Sequence, residues 1–395
     1  MKWFLFTLPL MAVLTIGACD DAGPFDPAGN AATTDAVLLD AVRAGSPALD
    51  VMTWNIYVGA DLNQLLAVGS MEELPCAVYG VWSDVVATEF STRAEAIADQ
   101  IALHRPHVIG LNEVSTFDFA VNNSLDLVFL DVLQAEIQAR GLSYAVGAVS
   151  TNFYVPGMPI AFTDACPAAP TDQLSYTEYD VLLVRDDVTT TAANNGNFSV
   201  PLTIDLPGGI TLPKYSGWAY VDVEHKALPY RVFATHLEPA DVAPCYVYEP
   251  LRPVHESQAG ELMDLLDASP YPTILTGDLN SDASGCTTNT YPDLIAAGFA
   301  DAWIVGGGAG SGFTANQDDD LRNAASELFH RIDFILYRDG PEAVKPAFQS
   351  AADVELVGED PADRINTSFG YDVWPSDHAG VVANLSIAPG MGHVD

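Results

Sequence analysis

The chain alternates short apolar runs with a few amphipathic segments. Apolar and β-branched residues dominate runs of four to six residues, and such runs between polar segments are typical of buried strands. The two runs at 218–223 and 230–234 are close enough in sequence to form a hairpin. The predicted strands cover residues 49–54, 107–111, 181–184, 218–223, 230–234, 273–276, 332–337 and 380–385.

Apolar residues recur with helical spacing in three segments. Residues 94, 97, 98 and 101 lie on one helical face, and Thr92-Arg93-Ala94-Glu95 has the form of a capping box before them. This helix ends before Pro106, and further helices are predicted over 125–140 and 258–266. Residues 158–177 contain several prolines and no clear period, so they are predicted to form a long loop. Strands separated by helices predict sheets covered by outer helices.

The N-terminus has the composition of a targeting signal. Lys2 precedes an apolar run over 3–16, which is shorter than the roughly 20 residues needed to cross a bilayer. Ile16-Gly17-Ala18-Cys19 resembles a lipoprotein cleavage box, which predicts membrane association through a lipidated Cys19 rather than through a transmembrane span. The alternatives are an ordinary secretory signal and a start methionine placed too early. The protein is expected to be exported in either of the first two cases.

The rest of the chain divides by composition. Residues after Cys19 are rich in Ala, Asp, Gly and Pro, as in a flexible tether. No segment of linker composition interrupts the following stretch, which is therefore expected to be one domain. The predicted divisions are a signal peptide (1–18), a tether (19–48), a catalytic domain (49–388) and a tail (389–395).

The chain is strongly acidic. It has 53 acidic and 15 basic residues, for a formal net charge of −38. Such a surface repels polyanions, so we expect no stable nucleic-acid complex. A nuclease whose metals supply the local positive charge remains compatible with this composition. Adaptation of the surface to salt explains the acidity equally well. The protein is expected to be a monomer.

Apart from Cys19, four cysteines are left for an exported domain. They are Cys76, Cys166, Cys245 and Cys286, for which three disulfide pairings exist. No two of them have the spacing of a zinc site. Cysteine-bound metal is therefore not expected.

Polar residues with catalytic chemistry stand at the ends of the predicted strands. Strand ends present side chains rigidly, and carboxylates, amides and imidazoles collected there suit hydrolysis assisted by Mg²⁺ or Mn²⁺. These residues are Asn55, Glu113, His236, Asp278, Asn280, Asp333, Asp377 and His378.

Six motifs together resemble one known superfamily. They are Thr53-Trp54-Asn55, Gly110-Leu111-Asn112-Glu113-Val114, Thr235-His236-Leu237, Gly277-Asp278-Leu279-Asn280-Ser281, Arg331-Ile332-Asp333 and Ser376-Asp377-His378. In this order they resemble the signatures of the endonuclease/exonuclease/phosphatase superfamily, which includes secreted deoxyribonucleases, neutral sphingomyelinases, abasic-site endonucleases and inositol polyphosphate 5-phosphatases. The resemblance spans residues 49–385. It implies a four-layer α/β/β/α sandwich of two packed mixed sheets, with the site at one edge.

The resemblance also implies a metal site. Glu113 is the expected main carboxylate ligand, with Asn55 beside it. Asp377 is expected to be a second-site ligand or a polar support. Mg²⁺ or Mn²⁺ is the expected cation, with Ca²⁺ as an alternative.

Five further residues receive catalytic roles from the same resemblance. Asp278 is expected to orient or deprotonate the attacking water, and Asn280 to hold the phosphate. His378 is expected to contact the phosphoryl group, with Asp333 fixing its tautomer through the other ring nitrogen. His236 matches the position of a second histidine on the phosphate side.

Two loop features also follow from the implied fold. The fold favours the disulfide pairs Cys76–Cys166 and Cys245–Cys286, because it brings the loops that carry them together. The polar loop 312–323 is expected to lie over the cleft. Its aspartates at 318–320 are open to three interpretations: a solvated face, a calcium site or a substrate-selecting loop.

The predicted function is hydrolysis of a phosphodiester or phosphomonoester by metal-assisted attack of water on a phosphate-ester substrate. The inositol phosphatases compared have Cys-Asp-Arg where Phe334-Ile335 follow Asp333 here, which argues against that subfamily. Nuclease and sphingomyelinase-like phospholipase C activities both stay open. The alternative from another class is a cell-surface binding module that keeps the fold without turnover.

Overall fold

A computed structural model describes residues 48–243, 246–247, 249–341 and 348–387. The predicted signal peptide, the predicted tail and all of the predicted tether except Ala48 lie outside the described residues. Within the described ranges, no helix combines the length and the apolar character required to span a membrane.

The strands belong to two large sheets and three small hairpins. In chain order they are β1 (Leu49–Asn55), β2 (Val108–Phe119), β3 (Leu127–Val128), β4 (Tyr144–Ile160), β5 (Asp172–Arg185), β6 (Thr189–Asn197), β7 (Leu202–Leu206), β8 (Ile210–Lys214), β9 (Gly217–His225), β10 (Leu228–His236), β11 (Asp241–Ala243), β12 (Tyr246–Val247), β13 (Thr273–Asp278), β14 (Ala300–Asp301), β15 (Asp333–Arg338), β16 (Phe348–Val357), β17 (Ile365–Asn366), β18 (Asp372–Val373) and β19 (Gly380–Ile387). The first sheet has the order β16-β19-β1-β2-β5-β4, with β3 paired to β2, and the second has the order β14-β15-β13-β10-β9-β6. Both sheets mix parallel and antiparallel pairs.

Helices cover the outer faces of both sheets. They are α1 (Leu74–Ala87), α2 (Phe90–His104), α3 (Phe129–Ala139), α4 (Arg252–Asp267), α5 (Thr290–Ala296) and α6 (Ala302–Val305). One apolar cluster joins α1, α2 and α3 to the first sheet, and another joins α4 and α5 to the second. A third cluster lies between the two sheets. The predicted α/β/β/α sandwich is confirmed.

Strand β1 shows how the sequence produces these layers. All seven of its residues are buried. Leu49 and Val51 face the second sheet, whereas Met52 and Trp54 face the helices. This alternation follows from the two-residue period of a strand, and it explains why both faces of β1 are apolar.

The two sheets approach each other closely beside the predicted site. A Cβ atom on Gly110 would lie 2.2 Å from the Thr276 hydroxyl of the facing strand. Only glycine fits at this contact. The glycine that opens the Gly110–Val114 motif therefore allows β2 to pack against β13 just before both strands deliver their polar residues.

The predicted long loop over residues 158–177 is wrong. Strand β4 continues to Ile160, and β5 begins at Asp172, so the connecting loop is much shorter. Pro156 and Pro159 lie within β4, which is an edge strand, and Pro156 falls where the register shifts between Val155 and Met158. Proline is tolerated at an edge or a bulge because no ladder hydrogen bond is required there.

Three predicted helix starts also differ from the structure, and the helix predicted over 258–266 begins already at Arg252. The predicted helix over 125–140 begins only at Phe129, because the short strand β3 precedes it. The predicted capping box at Thr92 is wrong, since α2 already begins at Phe90. The Thr92 hydroxyl instead donates to Glu89 Oε2 at 2.8 Å. Helix α1 was not predicted, and its sequence offers only Pro75 as a start signal.

The disulfide Cys76–Cys166 is confirmed, and it joins α1 to the loop between β4 and β5. Cys286 is also disulfide-bonded. Its predicted partner, Cys245, lies outside the described residues. The second predicted pair therefore stays a prediction.

Candidate active site

One amide group links carboxylates from the two sheets. Asn55 ends β1 and is fully buried. Its Nδ2 donates to Glu113 Oε1 at 2.9 Å and to Asp278 Oδ2 at 3.2 Å. Glu113 belongs to the first sheet and Asp278 to the second, so the structure places these residues at one shared edge of the sandwich.

Local backbone geometry turns Glu113 into this edge. Its φ is 57°, a left-handed conformation that is uncommon for a glutamate. The register between β2 and β5 shifts between Leu111 and Val114, which marks a bulge around Glu113. The Val58 amide donates to Glu113 Oε2 at 3.0 Å and fixes the second oxygen. Bulges near active sites commonly re-aim a side chain in this way.

Strand pairing places Asp278 beside two other predicted residues. In the registers of β13 with β10 and β15, Asp278 stands opposite His236 and Asp333. His236 Nε2 lies 3.5 Å from Asp278 Oδ2. Burial raises the pKa of Asp278 well above its ordinary value, and the nearby Asp333 charge raises it further.

The segment before β19 delivers His378 to the same edge. Its Nδ1 lies 2.8 Å from Asp333 Oδ2, and its Nε2 lies 3.9 Å from Asp278 Oδ2. The Trp54 indole donates to the His378 carbonyl at 2.9 Å. Burial lowers the pKa of His378, but the charges of Asp333 and Asp377 outweigh it, and the net pKa is well above the ordinary value.

His236 has a different electrostatic environment. Its side chain is buried, and its Nδ1 has no hydrogen-bond partner among the described residues. Burial, with a contribution from the Lys214 charge, lowers its pKa to about 4. The two histidines are thus driven in opposite directions, with His378 cationic and His236 neutral at neutral pH.

The two remaining predicted residues lie at the border of the cluster. The Asp377 carboxylate is 4.0 Å from His378 Nε2. Burial raises the pKa of Asp377 to about 7, since the Glu113 charge opposes the lowering effect of His378 and Arg93. Asn280 has a φ of 44°, and its Nδ2 donates to the Leu237 carbonyl at 2.8 Å. Its backbone amide donates to Asp278 Oδ1 at 2.9 Å.

Comparison with known proteins agrees with this geometry. A model of the endonuclease/exonuclease/phosphatase family matches residues 52–378. The chain belongs to this family. Members are phosphoesterases, which makes this protein an enzyme of that class. No curated protein sequence matches the chain significantly.

Two solved structures of the family share the fold at low identity, and a third structure is similar at a lower score. A family protein from Leptotrichia buccalis is 13% identical, covers 86% of this chain and 99% of its own, and has a TM-score of 0.50. One from Beutenbergia cavernae is 20% identical, with coverages of 86% and 72% and a TM-score of 0.50. Truncated TDP2 from Caenorhabditis elegans is 18% identical, with coverages of 86% and 98% and a TM-score of 0.47.

The residues of the family site fit a hard divalent cation. Glu113, Asp278, Asp333 and Asp377 bring four carboxylates to one edge, and such crowding of like charges is relieved by a cation. Asn55 directs its amide nitrogen to these carboxylates, while its oxygen accepts from the Tyr57 amide at 3.1 Å. A ligand role for Asn55 through oxygen requires the amide in the reverse orientation.

A different subset of side chains lies closest together. Asp278, Asp333 and His378 have potential ligand atoms within 4.8 Å of one another. Within this subset, His378 Nδ1 and Asp333 Oδ2 already contact each other at 2.8 Å.

Sequence reasoning missed several residues that build the site. Asn112 donates to Asp180 Oδ1 at 2.7 Å and to the Thr235 carbonyl at 3.1 Å, and its Oδ1 accepts from the Asp278 amide at 3.1 Å. Asn112 lies within the Gly110–Val114 motif, so the sequence marked its position but did not indicate its role. Asp180 directly precedes the predicted strand 181–184, and no motif of the sequence includes it.

A partly buried ion pair between β8 and the segment after β10 also escaped prediction. Lys214 Nζ lies 3.3 Å from Glu238 Oε1, and the Ser216 hydroxyl donates to the same oxygen at 2.8 Å. Glu178 on β5 is buried, and its Oε1 has no partner among the described residues. Lys214 acts on the pKa of both His236 and Glu178, so this group belongs to the electrostatics of the site.

The polar loop 312–323 packs against the site. The Asn316 and Gln317 amides donate to the Asp377 carbonyl at 3.1 and 3.0 Å. The Thr314 hydroxyl accepts from the Asp333 amide at 3.1 Å, and the Tyr57 hydroxyl donates to the Asp319 carbonyl at 2.9 Å. The loop therefore forms hydrogen bonds with Asp333 and with Asp377, the residue before His378.

Proposed function

We propose that this protein is an exported phosphoesterase that requires a divalent cation and cleaves a phosphodiester or phosphomonoester by attack of water. The observation that carries the proposal is the Asn55 amide, which joins Glu113 and Asp278 beside the His378–Asp333 pair. Two acidic groups and a charged imidazole at one buried edge have little structural purpose, since each costs desolvation.

Glu113 is the proposed principal cation ligand, with Asn55 and Asp377 beside it. When bound, Mg²⁺ or Mn²⁺ would polarise a phosphoryl oxygen and neutralise the charge that develops there. Oxygen donors of this kind suit these cations, and Ca²⁺ is the alternative.

The protein side chains perform the remaining steps. Asp278 orients the attacking water and accepts its proton, and both imidazoles lie beside it, with His236 Nε2 at 3.5 Å and His378 Nε2 at 3.9 Å from its Oδ2. His378 donates a hydrogen bond from Nε2 to the phosphoryl group, and Asp333 holds the ring by its contact with Nδ1. His236 and Asn280 are proposed to bind the phosphate from the second sheet, as neutral donors.

Export is supported by the cysteines. The Cys76–Cys166 disulfide is of a kind that persists in oxidising compartments. Lipidation of Cys19 stays part of the proposal as the means of membrane association.

The substrate is proposed only to the level of a phosphate ester. The chain's net charge of −38 disfavours a long polyanion. Lys214 and Arg93 are basic residues that act on the pKa values of the site residues His236 and Asp377, and two such residues suit contact with one phosphate rather than tracking of a backbone.

Turnover of bis-p-nitrophenyl phosphate by the purified chain tests the proposal. We expect hydrolysis with Mg²⁺ or Mn²⁺, loss of hydrolysis on chelation, and recovery when the cation is restored. His378→Ala should abolish turnover, whereas Arg252→Gln on α4 should not affect it. Equal activity of chelated and metal-loaded protein would reject the enzyme mechanism and favour a silent binding module. Sphingomyelin, plasmid DNA and inositol phosphates assayed in parallel identify the ester.

A further inference from the structure

A second polar cavity lies at the other end of the strands that form the active site. Its volume is about 580 Å³, within the range of about 300–1,000 Å³ typical of small-molecule sites. Asp50, near the start of β1, lines it, whereas Asn55 at the end of β1 is in the active site. His225, which ends β9, lines it as well, whereas His236 at the end of the antiparallel β10 is in the active site. The cavity is thus separate from the family's catalytic edge.

Two buried histidines form part of the cavity wall. The rings of His107 and His225 meet edge to face, with centroids 4.2 Å apart. His107 Nδ1 accepts the Asp50 backbone N–H at 2.9 Å, which fixes its tautomer. His225 is only 7% exposed, and its Nε2 has no hydrogen-bond partner among the described residues. A buried polar atom without a partner is costly unless a ligand or water satisfies it.

Basic residues gather here in an otherwise acidic chain. Arg105, Arg185 and Lys226 line the cavity, and they are three of the chain's 15 lysines and arginines. No comparable concentration of positive charge was expected from a net charge of −38. Asp50, Asp186 and Asp187 line the same cavity, so the side chains of the lining combine three basic with three acidic groups.

The acidic residues of the cavity are largely occupied by protein partners. Asp187 Oδ1 accepts from Arg185 Nε at 2.6 Å, and Asp50 Oδ1 accepts from Asn384 Nδ2 at 2.6 Å. Asp186 lies exposed on the rim, as does Asp187. The carboxylates of the cavity therefore either have a hydrogen-bond partner or are exposed to water. The buried Nε2 of His225 has neither.

Burial and the charges around His225 both act on the pKa of its imidazole. Burial lowers it to about 4, and the charges of His107, Lys226 and Arg185 lower it further against the opposing effect of Asp187. The positive groups outweigh the negative ones at this imidazole. An anion is the ligand that such a field favours.

We propose that this cavity binds a small oxyanion, a phosphate or a compact carboxylate, with His225 Nε2 donating to it and Lys226 and Arg105 supplying charge. The cavity would recognise the ligand by its negative charge and its several acceptor oxygens. A phosphate and a carboxylate share both properties. Binding here is independent of the metal and of turnover, so it stands whether or not the proposed reaction is correct.

The test is anion binding to the full chain carrying His378→Ala in the presence of a chelator. Inorganic phosphate and succinate are titrated separately at constant ionic strength, with calorimetry and the histidine C–H resonances as readouts. We expect saturable binding of at least one anion, together with a shift of the His225 resonance. The tighter of the two anions identifies the source of the oxyanion.

Two variants locate the binding. His225→Phe keeps the ring contact with His107 but removes the donor, and Lys226→Gln removes an exposed charge with little effect on packing. Each should weaken binding by about tenfold, as expected for a charge-assisted hydrogen bond. Arg252→Gln, a basic residue elsewhere on the surface, is the control and should leave binding unchanged. Absence of saturable binding by both anions, or binding unaltered by Lys226→Gln, overturns the proposal even if His225→Phe does not fold.

Discussion

Nδ1 of His378 lies 2.8 Å from Oδ2 of Asp333, so that the segment before β19 is tied to the first residue of β15. The remaining oxygen of Asp333 is buried and has no partner among the described residues. The pair is therefore held together by a single contact between an imidazole and a carboxylate, in a place where burial strengthens electrostatic interaction. This contact orients Nε2 of His378 towards the carboxylates of the cleft.

Replacement of Asp333 by Asn should lower turnover while leaving substrate affinity nearly unchanged. The amide no longer stabilises a charged imidazole, although it fills the same space. We expect kcat to fall by about 10²–10⁴-fold, the range typical of lost acid–base or charge-stabilising groups. Steady-state kinetics measure the effect, and Asp339→Asn at the end of the same strand is the matched control. An Asp333→Asn enzyme with native kcat would contradict the positioning role.

Glu113→Gln and Asp278→Asn should differ in their response to added cation. The loss of Glu113 removes a proposed ligand, so its activity should return in part as the Mg²⁺ or Mn²⁺ concentration rises. The loss of Asp278 removes the proposed base, so excess cation should not restore kcat. Cation titrations of both variants under identical conditions provide the comparison. Similar rescue of both would assign Asp278 to metal binding instead.

Addition of Mg²⁺ or Mn²⁺ should raise the thermal unfolding temperature of the wild-type protein. The proposed ligands Glu113, Asn55 and Asp377 would hold the cation only in the folded protein, because the unfolded chain has no equivalent site. The increase should be smaller in Glu113→Gln and should vanish on chelation. Differential scanning calorimetry at fixed ionic strength separates this effect from general screening, with K⁺ as the control. An unchanged melting temperature at saturating cation would count against the site.

The parts of the fold that local patterns determine could be predicted from sequence. Apolar runs marked the strands of both sheets, and the polar residues at their ends converge because parallel pairs such as β10 and β13 finish at one edge. The loop predicted over 158–177 failed for a physical reason. Proline usually ends a strand, but β4 lies at the edge of its sheet and its bulge accommodates Pro156.

Residues without a local pattern could not be predicted. Lys214 and Glu178 are single charged positions on different strands, and only the packing of β8 and β5 near the cleft gives them a shared environment. The polar cavity at the other end of the strands could not be predicted either. Its basic residues Arg105, Arg185 and Lys226 lie at the ends of separate elements and come together only in the tertiary structure. These charged residues are present in the sequence, but their spacing does not predict that they come together.

Reduction of the Cys76–Cys166 disulfide, or its replacement by two serines, should destabilise the domain. The bond closes a loop with a sequence separation of 90 residues, and such a constraint typically contributes about 2–5 kcal/mol by limiting the unfolded chain. Urea unfolding of the oxidised protein and the Cys76→Ser/Cys166→Ser variant measures the difference. Both cysteines lie away from the cleft residues, so kcat below the unfolding transition should be retained. Equal stability of the two forms would show that the bond adds no constraint.

Asp180→Asn should stabilise the protein at pH 8 but not at pH 4. Asp180 is fully buried with one oxygen unpartnered, and burial raises its pKa to about 7, against the hydrogen bond from Asn112. Because the folded state holds this proton more tightly than the unfolded state, the stability that it contributes is present below about pH 4 and is lost as pH rises to about 7. Asparagine is neutral throughout, and its carbonyl can still accept from Asn112 at the position of Oδ1.

The gain at pH 8 should be on the order of 1–3 kcal/mol, measured by urea unfolding across the pH range. Asp339→Asn, at an exposed position, should show no such pH-dependent gain, and a constant difference for Asp180→Asn from pH 4 to pH 8 would show that Asp180 does not titrate in this window.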